Sequence, residues 1–135
     1  FGLTGGVTRE HIARATLEAI AYQVMDLVEC MKEDASCDLS LLKVDGGASV
    51  SDIMMQFQAD ILRINVVRPK VVETTALGAA FMAGLQTGVW ASLDDISKVW
   101  AVDRVFEPKM DEERSRKLYA GWKKAVQRSL GWIDN

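Results

Sequence analysis

Cysteine, histidine and proline are scarce in these 135 residues, which hold two, one and two of them respectively. Cys30 and Cys37 stand seven apart with no second pair, and His11 is the one imidazole. That set supports neither a zinc site nor a disulfide framework, so both thiols are read as free. No apolar run approaches the roughly 20 residues needed to cross a bilayer, and no charged-then-apolar signal pattern opens the chain. A cytoplasmic protein without membrane contact is expected. Positive charge is also short: 16 Lys and Arg against 19 Asp and Glu leave a net charge of -3. Such a chain has no overall field to draw it to nucleic acid or to an anionic membrane. Any anionic ligand has to be held by local groups. Two phosphate-binding signatures are missing as well, the Gly-x-x-x-x-Gly-Lys-Ser/Thr loop and Gly-x-Gly-x-x-Gly after a strand.

What is present is 49% hydrophobic and 26% charged residues, the composition of an ordinary globular domain. No repeat, low-complexity tract or linker divides it, so residues 1–135 are read as a single domain. The chain opens on Phe1 and runs almost at once into helical spacing, which suggests a fragment of a longer protein. Thr8 is a candidate cap for a helix from about 9 to 32, apolar on much of its circumference and so expected to be deeply packed. Leu41–Val44 reads as a short strand, the residues from Ser51 to Leu62 as a second helix, and Ile64–Val67 as a second strand stopped before Pro69. Strand, turn, helix, strand is the order that gives a parallel pair. A third helix runs from about Ala76 to Gly84, capped by Thr74 or Thr75, and its small residues allow a close neighbour. A helical turn near Ser92–Asp95, an edge strand over 102–106 and a helix from Asp111 complete the pattern. Arg114, Arg116, Lys117, Lys123, Lys124 and Arg128 give that last helix a basic face, read as solvated surface.

The segment with chemical content is Val44-Asp45-Gly46-Gly47-Ala48-Ser49-Val50-Ser51. In an open α/β sheet, ligands bind beyond the carboxyl ends of the strands, and this glycine pair sits at such an end just before a helix. Two residues without Cβ let the backbone approach a ligand, and the helix start behind them offers free N–H groups. Tight turns also use glycine for steric reasons alone, so both readings stay open at this point. His11 lies in the first turn of a helix with no partner network, and a structural role is expected for it.

Leu41–Ser49 together with Met55–Leu62 resembles the adenosine motif and following helix of the glycerol kinases, within the FGGY family of sugar kinases. Three more segments agree. Gly2-Leu3, His11-Ile12 and Ala15–Glu18 look like the later half of that family's second signature, and Glu73–Ala80 is similar to its small-residue helix. Tyr119, Trp122–Val126 and Gly131-Trp132 are similar to the tail of glycerol kinases in particular. The resemblance implies an α/β fold of the ribonuclease H-like, actin-like ATPase type, this chain being the later part of the C-terminal half-domain. It implies ATP or ADP as the nucleotide, with Gly46 and Gly47 lying against it and the Gly47 backbone in direct contact. At position 51 relatives commonly carry an Asn that touches the nucleotide; here Ser51 has a shorter side chain, and Asp52 beside it adds a charge unfavourable near phosphate. The resemblance further implies Mg²⁺, glycerol as substrate and a homo-oligomeric whole enzyme. It puts the aspartate base, the metal ligands and the phosphate-binding turns upstream of Phe1, so no catalytic residue is assigned here. A non-catalytic nucleotide-binding or oligomerisation module, or a kinase for another sugar or polyol, is the alternative.

Overall fold

The computed structural model describes residues 1–35 and 39–131. Cys37 and Trp132, both singled out above, lie outside them. The elements are α1 (Arg9–Ala35), β1 (Leu41–Lys43), a 3-10 turn (Gly47–Val50), α2 (Asp52–Leu62), β2 (Asn65–Pro69), α3 (Thr74–Gln86), α4 (Leu93–Val99), β3 (Val102–Phe106) and α5 (Glu112–Ser129). The sheet runs β1-β2-β3, with β1 and β2 parallel and β2 and β3 antiparallel. The crossover through α2 thus delivers the expected parallel pair. β2 extends through Pro69 rather than stopping before it. Proline is tolerated there because it is the last strand residue and the register with β3 shifts between Arg68 and Pro69.

Helix α2 is the centre of the packing, because both of its faces are covered. On one side Phe57 and Ile61 meet Ala21 and Tyr22 of α1 and Tyr119 of α5. Tyr22 stands edge-on to Phe57 at 5.5 Å between ring centroids and stacks on Trp122 at 5.4 Å. On the other side Met54, Met55 and Ala59 meet Val66 and Phe106 of the sheet. Each large apolar side chain so buried contributes about 1.5–3 kcal/mol. Gln58, also buried, satisfies its amide by donating to the Ala21 carbonyl at 3.3 Å. Ile53, by contrast, is 58% exposed.

Two further expectations change. Helix α1 runs on to Ala35, through polar residues that the apolar pattern alone does not support, and it is not deeply packed. Its buried residues are Ala21, Tyr22 and Val28, while Ile12, Ile20, Leu27 and Met31 are exposed. The spacing identified an apolar helix correctly, but only the stripe facing α2 and α5 is covered within this chain. Helix α3 begins at Thr74 after Glu73, without a side-chain cap, so neither Thr74 nor Thr75 plays the capping role. The small residues Ala76, Ala79, Ala80 and Ala83 are exposed and a Cβ on Gly78 would meet none of the described residues within 4 Å, so the close neighbour expected for them is not found, whereas Gly84 lies against the Trp90 ring.

Candidate functional site

β1 ends at Lys43, and Val44 prolongs its ladder by donating to the Val67 carbonyl at 3.0 Å. The chain then leaves the sheet through Gly46, whose φ of +77° is a conformation that L side chains rarely adopt. Its N–H donates to the Val72 carbonyl at 2.8 Å, and its carbonyl accepts from Ser49 N–H at 3.1 Å and Ser49 Oγ at 2.7 Å. Gly46 is therefore a turn residue with its polar groups committed. Gly47 differs in each respect. It is exposed and its φ is not positive, while a Cβ built on either glycine would meet none of the described residues within 4 Å. The chain's own packing gives no reason for glycine there. The amides of Gly47 and Ala48 find no backbone acceptor among the described residues. The pair thus presents open backbone donors beyond the carboxyl end of β1, beside the start of α2.

Ser51 is half-buried and serves as the N-cap of α2, its Oγ accepting from Met54 N–H at 3.4 Å. The structure brings Gly46, Gly47 and Ser51 into one continuous turn. Asp52 does not aim a bare charge at this turn. Its carboxylate pairs with Arg68 and with Arg104, so the repulsion expected from the sequence is offset by two guanidinium groups. The Asp103 hydrogen bond, seconded by Asp52, holds the Arg68 guanidinium above its ordinary range.

Sequence reasoning passed over the residues that brace the turn. Thr74, at the start of α3, donates to Asp45 Oδ2 and ties the β1 end to the segment ahead of that helix. Lys43, Asp45, Thr74 and Trp100 line a cavity of about 170 Å³, with the Lys43 ammonium 4.3 Å from the centroid of the Trp100 ring. Arg68 reaches the Ser49 carbonyl at 2.9 Å across 19 residues of sequence. Such partners leave no local signal, since nothing in spacing or periodicity joins position 68 to position 49. His11 is exposed, and its Nδ1 accepts from Thr8 N–H at 3.1 Å, a local contact at the start of α1. Cys30 is a free, exposed thiol. Lys123, read as solvated, pairs with Glu29 of α1 at 2.6 Å. Among the described residues no group of three or more His, Cys, Asp or Glu could hold a metal ion, and no helix is long and apolar enough to cross a membrane.

Comparison with known proteins places this geometry in a family. Residues 1–87 match the C-terminal domain of the FGGY family of carbohydrate kinases. The chain is 56% identical over 131 residues to glycerol kinase 2 of Sulfolobus acidocaldarius, covering 97% of this chain and 26% of that protein. It is 59% identical over 133 residues to the glycerol kinase of Caldanaerobacter subterraneus subsp. tengcongensis, covering 98% and 27%. Among solved structures it resembles Plasmodium falciparum glycerol kinase with ADP, with a TM-score of 0.84 and 38% identity over 98% of this chain and 27% of that one. The chain therefore spans about a quarter of the length of these relatives. Xylulose kinase from Lactobacillus acidophilus, at 23% identity and a TM-score of 0.74, shares the fold. The α/β arrangement described above is the ribonuclease H-like, actin-like ATPase fold in the later part of its C-terminal half, and the chain belongs to the FGGY family of carbohydrate kinases.

Proposed function

We propose that this chain is the adenosine-binding part of an ATP-dependent glycerol kinase, which transfers the γ-phosphoryl group of ATP to glycerol and yields glycerol 3-phosphate. The observation that carries this reading is Gly47, a glycine that neither its φ nor its packing among the described residues requires, with amides that find no backbone acceptor among those residues, at the carboxyl end of a parallel strand. A nucleotide laid against that backbone supplies the missing reason. The high identity to glycerol kinases, and the ADP in the similar Plasmodium structure, support the nucleotide and substrate class. Gly46 shapes the turn, Gly47 meets the ligand, and Ser51 caps the helix behind them while keeping its hydroxyl within reach of the site.

On this reading residues 1–135 act as one domain of a longer, cytoplasmic, homo-oligomeric enzyme. The exposed apolar residues Ile12, Ile20, Leu27 and Met31 on α1 are the kind of surface that other parts of such an enzyme cover. Phosphoryl transfer depends on positioning and charge stabilisation around an aligned acceptor. Magnesium would contribute charge stabilisation at the phosphates, and the resemblance to glycerol kinases puts its ligands in other parts of the enzyme.

The test is Gly47→Val in the full-length kinase. A branched Cβ intrudes where backbone and ligand meet, and KM for ATP should rise at least about tenfold, the factor that 1.4 kcal/mol produces, with KM for glycerol little changed. Because none of the described residues lies within 4 Å of that Cβ, the fold should survive. A folded variant with an unaltered KM for ATP would remove the turn from the site.

A further inference from the structure

Arg68 lies at the carboxyl end of β2, beside the glycine turn. Across the antiparallel pair Arg68 faces Arg104 and Pro69 faces Val102, so β3 carries one extra residue at this point, Asp103. Bulges of this kind re-aim a side chain. Here Asp103 Oδ2 accepts from Arg68 Nε at 2.8 Å. With Nε held, Nη1 donates to the Ser49 carbonyl at 2.9 Å and to Asp52 Oδ1 at 2.9 Å. The guanidinium also stands over the buried Phe106 ring, 5.3 Å from its centroid. One planar group thus joins the bulge of β3, the 3-10 turn and the first residue of α2.

Exposed ion pairs contribute little, because water and salt screen them. This one differs in two ways. The Arg68 side chain is only 12% exposed, and one of its acceptors is a backbone carbonyl of the turn itself. Ser49 in turn donates through its hydroxyl to the Gly46 carbonyl, so contacts run unbroken from the sheet to the glycine pair. A guanidinium can hold several acceptors in one fixed geometry, which an ammonium cannot.

We propose that Arg68 is a positioning residue for the nucleotide: it fixes the Gly46–Val50 turn against the sheet so that the Gly47 backbone meets ATP in a preset orientation. This rests on the function proposed above. Arg68 touches no reacting atom on this account, and glycerol, bound elsewhere, does not register its loss.

The experiment compares variants of the full-length kinase by steady-state kinetics and by calorimetric titration with ADP. Arg68→Gln should raise KM for ATP and Kd for ADP about tenfold, with KM for glycerol and kcat moving by less than about twofold. Arg68→Lys should recover part of the loss, since its ammonium keeps the charge but lacks the rigid planar fork that spans the separate acceptors. Should Arg68→Gln fail to fold, Asp103→Asn decides the matter: it weakens the tether at an exposed carboxylate and should raise KM for ATP alone, by less. The inference is overturned by a folded Arg68→Gln with unchanged ATP kinetics, by equal rises in both KM values, by a lysine variant no better than glutamine, or by an inert Asp103→Asn. Gly47→Val run in parallel separates the two levels. If it raises KM for ATP while Arg68→Gln does not, only the role of Arg68 falls. If it too is silent, the nucleotide reading falls and this inference with it.

Discussion

Gly46 and Gly47 are adjacent and identical in sequence, yet they answer different demands, and the difference is measurable. At Gly46, φ of +77° makes any L side chain strained whatever space surrounds it. Gly46→Ala should therefore destabilise the fold by about 1–3 kcal/mol, the cost of holding a Cβ at φ +77°, ψ 172°, a region left essentially to glycine. At Gly47 the backbone has no such strain and a methyl group meets nothing. Gly47→Ala should leave stability unchanged or raise it by about 0.4–1 kcal/mol, through loss of freedom in the unfolded chain. Urea unfolding of the two variants checks the contrast, and equal losses at both positions would contradict it. If Gly47→Ala is at least neutral for stability yet weakens ATP binding, the glycine is explained by the ligand rather than by the fold. Sequence alone could not separate the two residues, because both satisfy the same rule about glycine in turns.

At the scale of elements, α5 is locked to α1 by a polar cluster above the aromatic core. Tyr119 Oη lies 2.6 Å from Asp26 Oδ1 and 2.8 Å from Glu29 Oε2, while Trp122 Nε1 donates to Asp26 Oδ2 at 2.8 Å and the Lys123 ammonium pairs with Glu29. Burial first, then the hydrogen bonds to Asp26 and Glu29, pushes the Tyr119 phenol far above its usual value. Burial, with the Glu18 charge behind it and Arg14 opposing, pushes Tyr22 up to about 12 from an ordinary 10.0. A raised folded pKa means that the native state binds the proton more tightly than the unfolded one. This contribution to stability is complete below pH 10 and is lost as pH rises from 10 toward 12 and beyond. These are the two tyrosines of the chain. An alkaline titration should therefore show no tyrosinate absorbance near pH 10 while the helical signal persists, and both should change together at higher pH. Ionisation near pH 10 in a folded chain would refute it. The apolar spacing made α1, α2 and α5 legible as helices, and the Val44–Ser51 segment made the turn between strand and helix legible. The Asp103 bulge, the Arg68 fork and the Tyr119 cluster were not, because they join residues 16 to 96 apart through side-chain geometry that periodicity does not encode. The exposure of α1 was misjudged for a related reason: hydrophobicity marks which face wants cover, not which neighbour provides it.

At the scale of the molecule, the proposed function and the inventory of residues together say what this chain does by itself. Phosphoryl transfer from ATP to a polyol needs a base to take the hydroxyl proton, a cation to neutralise the developing charge, and an acceptor held in line. The described residues supply a turn with open amides and a braced helix start, which suits the nucleoside end of the reaction. They supply no three-ligand cluster for a cation. The carboxylates nearest the turn are already engaged, Asp45 with Thr74 and Asp52 with two arginines. His11 is committed to Thr8, at the start of α1 and on a different element. The 135-residue chain, incubated with glycerol, Mg²⁺ and ATP, should accordingly form no glycerol 3-phosphate above the rate of a blank. Coupled detection of ADP and direct chromatography of the phosphorylated product both measure this. Turnover comparable to that of an intact kinase would mean that a base and a metal site exist among these residues, and the assignment of this chain to the adenosine side alone would have to be abandoned.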